Sequence, residues 1–87
     1  AARLPGGEGR KQVLTELPRW PVGRTARVAK LTAGGLLRRR LLDLGFVPGV
    51  EVMVLRRAPF GDPTAYLVRG AVVALREEEA VHILVRE

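Results

Sequence analysis

The chain has 87 residues, a formal net charge of +6 and no cysteine. A length of this order supports one compact core and no second domain. The missing cysteine excludes disulfides, thiolate metal ligands and a thiol nucleophile, and no apolar run approaches the ~18 residues of a membrane span, the longest being Ala71-Val72-Val73-Ala74-Leu75. Thirteen Arg and two Lys outweigh nine carboxylates, so nucleic acid, anionic lipid and acidic protein surfaces are all electrostatically admissible partners. With no signal-peptide pattern at its start, the chain reads as soluble and cytoplasmic.

Residues 1–13 combine Pro5, Gly6, Gly7 and Gly9 with a few charges and little to bury, which predicts a flexible tail before a domain spanning 14–87. Leu14, Leu17 and Trp20 then read as packing anchors, Trp20 standing between Pro18 and Pro21. Thr25 to Leu31 sets Ala26, Val28 and Leu31 among Arg27 and Lys30, a short strand with one side toward water. Thr32 is a candidate helix cap.

The helix that follows is the clearest element in the chain. On a wheel of about 100° per residue with Leu37 at zero, Leu41 falls near 40° and Leu44 near 340°, so the three share one narrow face that packs on the sheet. Leu36 and Leu42 fall near 260° and 140°, away from that stripe, and Arg39 lies opposite it. Gly45 ends the helix because glycine enters the left-handed region without a Cβ penalty, and Pro48 forbids continuation.

Val50 to Leu55 alternates β-branched residues after the Pro48-Gly49 turn and reads as a strand. Ala58 to Pro63 is a loop made rigid by two prolines and a glycine. Thr64–Val68 and Ala71–Leu75 flank Arg69-Gly70 as a tight two-residue hairpin. Glu77-Glu78-Glu79 suits the positive end of a short helical turn, and His82 to Val85 supplies a last strand. The expected fold is mainly β, a small SH3-like five-stranded barrel with one inserted α-helix after the first strand, the barrel removing exposed edges.

Chemistry finds little purchase here. No GxxxxGK[ST] phosphate loop exists, and the chain offers one His and no Ser for nucleophilic catalysis, so no enzyme is expected and no catalytic residue is assigned. No cofactor is expected. A metal wants several clustered ligands; His82 with Glu78 and Glu79 is the weak candidate set at helical spacing, set against a half-exposed His entering a strand and a solvated helix start. Asp62 in the rigid Gly61-Asp62-Pro63 turn is a candidate recognition residue, its ordinary role being to set the hairpin's approach. Arg38, Arg39 and Arg40, with Arg56 and Arg57, stand as a basic surface beside Leu36 and Leu42. Arginine next to exposed leucine is a composition that protein interfaces enrich, while a solvated helix face is the plainer reading, and both stay open. The candidate partner-binding residues are therefore Leu36, Arg38, Arg39, Leu42 and Asp62.

Taken in order, these segments resemble the ferrous iron transport protein A (FeoA) family. Leu14 and Leu17 followed by Gly23 are similar to its opening, Arg40-Leu41-Leu42-Asp43-Leu44-Gly45-Phe46-Val47-Pro48-Gly49 to its central signature, and Gly61-Asp62-Pro63 with Tyr66, Val68 and Gly70 to its hairpin. Ala74 to Ala80 and Ile83 to Val85 resemble its closing segment. The resemblance implies an SH3-like barrel and a cytosolic accessory of FeoB, the membrane importer of ferrous iron, acting by docking and modulation rather than catalysis. A similar domain ends diphtheria toxin repressor-type regulators, so a metal-responsive regulatory module is one alternative; a nucleic-acid-binding barrel is another, weakened by aromatics spread over separate elements. A homo-oligomer formed through an open strand edge is a further expectation.

Overall fold

The computed structural model describes residues 13–87; the tail expected over 1–13 lies, except for its last residue, outside the described residues. Six strands form one antiparallel sheet in the order β1-β6-β2-β3-β4-β5, with β1 at Thr15–Glu16, β2 at Thr25–Leu31, β3 at Glu51–Arg57, β4 at Thr64–Val68, β5 at Ala71–Leu75 and β6 at Ile83–Arg86. Two α-helices accompany it, α1 at Gly35–Leu44 and α2 at Glu77–Ala80, with a short 3-10 turn at Leu17–Arg19. The strand over 25–31 and the hairpin over 64–75 fall where alternation and turn chemistry put them.

The strand count needs correction from five to six. Thr15 and Glu16 pair with Val85 and Leu84, a two-residue strand too short to carry an alternation signal. The inserted helix consequently follows the second strand, not the first. The sheet also does not close on itself, because β1 and β5 end the strand order without pairing to each other. The last strand begins at Ile83 rather than His82.

One face of this sheet is buried along nearly its whole width. Ala26, Val28 and Leu31 of β2, Val52 and Val54 of β3, Tyr66 and Val68 of β4, Leu75 of β5 and Ile83 and Val85 of β6 all belong to a single core. A six-stranded sheet with one apolar face and a single ten-residue helix to cover it buries that face by curling around it. Two breaks in register supply the bend, one between Val28 and Lys30 and one between Val54 and Arg56. The first also explains the pattern of β2, where Ala26 and Val28 face inward at even positions and Leu31 at an odd one. Without the extra residue Leu31 would point to water.

The helix joins the core at its C-terminal end. Leu41 is fully buried, and Leu37 and Leu44 pack against the core half-buried, as the wheel requires. Gly45 sits at φ 111° in the left-handed region, its N–H donating to Leu42 O at 3.0 Å while Phe46 N–H donates to Leu41 O at 3.0 Å. This closure drops Phe46 into the core edge-on to Tyr66, with ring centroids 6.4 Å apart at 89°. At the other end the cap is Gly34 in extended conformation, with no side-chain bond. Thr32 does not cap; its Oγ1 lies 3.1 Å from His82 Nδ1 and ties β2 to the start of β6.

Of the N-terminal anchors, Leu17 and Trp20 are buried, while Leu14 keeps 37% of its surface exposed. Pro18 and Trp20 present their carbonyls to the Arg57 guanidinium, 2.9 Å in the case of Trp20. Trp20 Nε1 and Tyr66 Oη are buried without hydrogen-bond partners. Burial pushes the Tyr66 hydroxyl above its ordinary value of 10.0, opposed by the neighbouring Thr64 hydroxyl.

Two expectations follow. A Cβ at Gly45 would be strained at its φ of 111° and would meet Arg69 Cδ at 3.4 Å, so Gly45→Ala should lower stability by about 1 kcal/mol, read as a lower urea midpoint at unchanged slope. Because Tyr66 titrates higher in the fold than its ordinary 10.0, the unfolded chain loses that proton first, and stability present below that value declines as pH rises through it. Tyr66→Phe should therefore melt at or above the native protein near about pH 8, with the gap widening toward about pH 11; a gap that stays constant would show that the hydroxyl titrates normally.

Candidate docking face

The N-terminal half of α1 carries its polar and apolar groups straight into water. Leu36 is 89% exposed, the most open large aliphatic side chain among the described residues. Arg39, one turn on from it, shares its side of the helix, while Arg38 at i+2 points away round the axis; both are exposed. Arg39 approaches Asp43 at 3.9 Å across one turn, both side chains mostly exposed, an ion pair of the kind that contributes next to nothing in water. Arg38 makes no side-chain hydrogen bond or ion pair with any described residue. The result is an exposed apolar knob with the loosely paired Arg39 beside it and the unpaired Arg38 on another side of the helix.

Leu42 behaves differently from the wheel reading. It is half-buried and packs against the core, because the Gly45 closure pulls the last turn of the helix onto the sheet and widens the buried stripe there. It therefore does not stand beside Leu36 as a second exposed leucine. Arg40 also leaves the basic cluster, its guanidinium bonding to the Glu79 carboxylate on α2. Arg57 is turned the other way, toward Pro18 and Trp20. Of the five arginines read from sequence, Arg38 and Arg39 on the helix and Arg56 on β3 remain exposed and outside these internal bonds, and only Arg39 of these stands beside Leu36.

Asp62 has a structural task. Its Oδ1 accepts the Glu77 N–H at 2.9 Å, and its other oxygen stands 3.8 Å from Arg76. A carboxylate on the first free amide of α2 caps that helix from a distant loop, a contact that no local spacing reveals since the two residues are 15 apart. α2 in this way receives Asp62 at its first turn and Arg40 at Glu79. It joins the Ala58–Pro63 loop to α1, so Asp62 and the helix face share one scaffold. Two residues before Asp62, Phe60 is 99% exposed, a loop aromatic that no local pattern singles out.

The candidate metal residues are not assembled as a ligand set. His82 Nδ1 faces Thr32 Oγ1, Glu79 is engaged by Arg40 and by the Arg76 N–H at 3.2 Å, and Glu78 is exposed. Among the described residues no three His, Asp or Glu side chains come close enough to hold an ion. The aromatics that could stack on a base are mostly enclosed. Trp20, Phe46 and Tyr66 are buried, leaving Phe60 alone available to stack on a base. No helix among the described residues is long and apolar enough to cross a membrane.

The FeoA domain family model matches residues 15–87. The chain belongs to the FeoA domain family. Over 61 residues it is 36% identical to an Fe(2+) transport protein A/Fe(2+) transporter FeoB fusion protein from Porphyromonas gingivalis, a match covering 70% of this chain and 7% of that protein. It is similar, at 36% identity and a TM-score of 0.80, to iron(II) transport protein A from Clostridium thermocellum, covering 83% of this chain and 44% of the other. Zinc-complexed FeoA from Stenotrophomonas maltophilia, described as an SH3 domain protein, matches at 34% identity and a TM-score of 0.71 over 79% of this chain and 86% of that one. The chain thus spans a small part of the fusion protein and less than half of the Clostridium chain. Its own six-stranded sheet is SH3-like in the same sense.

The two leucines separate by experiment. Leu36→Ser should leave the melting temperature within the error of a surface change, about 0.5 kcal/mol, whereas Leu42→Ser should cost about 1–3 kcal/mol from lost packing and a half-buried hydroxyl. Equal effects at the two sites would contradict the placement of Leu42 against the core.

Proposed function

We propose that this FeoA-family domain is a non-catalytic accessory of ferrous iron uptake that docks on the cytosolic region of a FeoB-type transporter and modulates it. The observation that carries the reading is the fusion of the two proteins in the Porphyromonas gingivalis relative. A domain written into the same polypeptide as a transporter is held beside it at high effective concentration, and separate chains must recover that proximity by affinity. The exposed Leu36 beside Arg39 supports the same reading, since it combines an apolar anchor with an arginine at the rim. Asp62, held at the base of the Phe60 loop, contributes by fixing that loop rather than by direct contact. The protein works in the cytoplasm without inserting into the bilayer, carries no cofactor of its own, and treats iron as the transporter's cargo.

Docking centred on Leu36 should be only mildly salt-sensitive, whereas phosphate-driven binding of nucleic acid falls steeply with salt. The tagged domain incubated with detergent-solubilised transporter should retain it through a wash of about 0.5 M salt. Leu36→Ser combined with Arg39→Ala should weaken retention by about tenfold, the equivalent of one truncated interface anchor. Retention unaffected by the double substitution would refute the assigned face, and recovery of nucleic acid in place of transporter would refute the function.

A further inference from the structure

The sheet ends differently at its two sides. β1 is two residues long, and its own Glu16 with the following Pro18 and Arg19 places charge and a proline at the edge, the devices by which sheets discourage further pairing. β5 has none of these. Ala71-Val72-Val73-Ala74-Leu75 carries no charge and no proline, pairs with β4 in unbroken register over its full length, and forms the last strand of the sheet. Val72 is 66% exposed, and Ala71 and Ala74 are exposed beside it.

The open edge has a definite set of donors and acceptors. A two-residue loop at Arg69 and Gly70, with φ 51° and 81°, makes Val68 and Ala71 a hydrogen-bonded pair. Ala71, Val73 and Leu75 therefore spend their N–H and C=O groups on β4, and Val72 and Ala74 direct theirs outward. On the solvent face of the sheet Val72 also ends a cross-strand row, Thr25–Met53–Leu67–Val72, whose Met53 and Leu67 are only partly covered.

We infer that β5 is a pairing edge for a second copy of this chain, the two β5 strands running antiparallel about a two-fold axis at Val73. In that register Val72 of each copy lies opposite Ala74 of the other, so the outward groups of both residues meet as hydrogen-bonded pairs and none is wasted. The same register brings Arg69 of one hairpin toward Glu77 at the start of the other copy's α2, twice over by symmetry. Arg69 is exposed and has no ion-pair partner among the described residues. Shifting the axis to Val72 places Arg69 opposite the apolar Leu75 instead, so charge selects the Val73 register. The cross-strand row then continues from one copy into the next, covering Val72.

Sedimentation velocity on the full chain, from micromolar concentration up to about 1 mM, tests this. Monomer should pass to dimer with rising concentration, and Val72→Lys, a gatekeeper charge at an outward position, should raise the dissociation constant at least tenfold while leaving the melting temperature of the monomer unchanged. Val72→Pro should act likewise, because the N–H it removes has no partner on β4. Glu77→Arg should weaken the dimer, and adding Arg69→Asp should restore it to within about threefold. A chain monomeric throughout, a dimer indifferent to Val72→Lys, or a charge exchange that fails to restore association each overturns the proposal. A monomer in which Val72→Lys abolishes capture by the transporter also overturns it, in favour of a strand donated by that partner.

Discussion

The turn at Gly45 is the contact through which everything else is oriented. A left-handed residue at that point reverses the chain out of α1 and inserts Phe46 beside Tyr66, while Leu41, one turn back, fills the same cavity. Those side chains fix the helix about its own axis. Once Leu41 faces inward, 3.6-residue geometry places Leu36 and Arg39 outward without any further contact to hold them. A presented side chain that costs no stability to present is a natural place to put recognition, and it follows here from where the core residues are, not from interactions made by the face itself.

Electrostatics then sorts the arginines. Arg57 spends its charge inside the fold on the carbonyls of Pro18 and Trp20, closing the N-terminal segment over the core. Arg40 binds Glu79 and Arg27 binds Glu51 at 3.1 Å, so these cations hold elements together. Arg38, Arg56 and Arg69 make no side-chain hydrogen bond or ion pair with any described residue. A net charge of +6 therefore overstates how basic the molecule is as a binding surface. Together with three buried aromatics out of four, this leaves the surface with fewer of the features that bind single-stranded nucleic acid than the charge alone suggests.

Much of the architecture is written locally, and the sequence is legible where the physics is local. The Leu37–Leu41–Leu44 stripe, the Gly45 stop, the Arg69-Gly70 hairpin and the acidic start of α2 each depend on a few neighbouring residues, and each stands where local rules place it. What escaped depends on distant partners. β1 exists because β6 offers an edge to Thr15 and Glu16; Thr32 is drawn from capping to His82, 50 residues away; Asp62 is drawn to α2. Leu42 was misplaced for a geometric reason, since a uniform wheel gives every turn the same buried arc while the real helix leans harder on the sheet at its C-terminal end. Phe60 had no periodic context at all, so nothing in its neighbours separates an exposed loop aromatic from a buried one.

The central claim is that an outward face set by the Gly45 closure meets a FeoB-type transporter. Amide chemical-shift mapping of the labelled domain, titrated with the isolated cytosolic region of such a transporter, addresses it most directly. The account predicts changes concentrated at Leu36, Arg38 and Arg39 and fading toward the fully buried Leu41. Changes confined to the Thr25–Met53–Leu67 face of the sheet, or a spectrum that does not move, would contradict it.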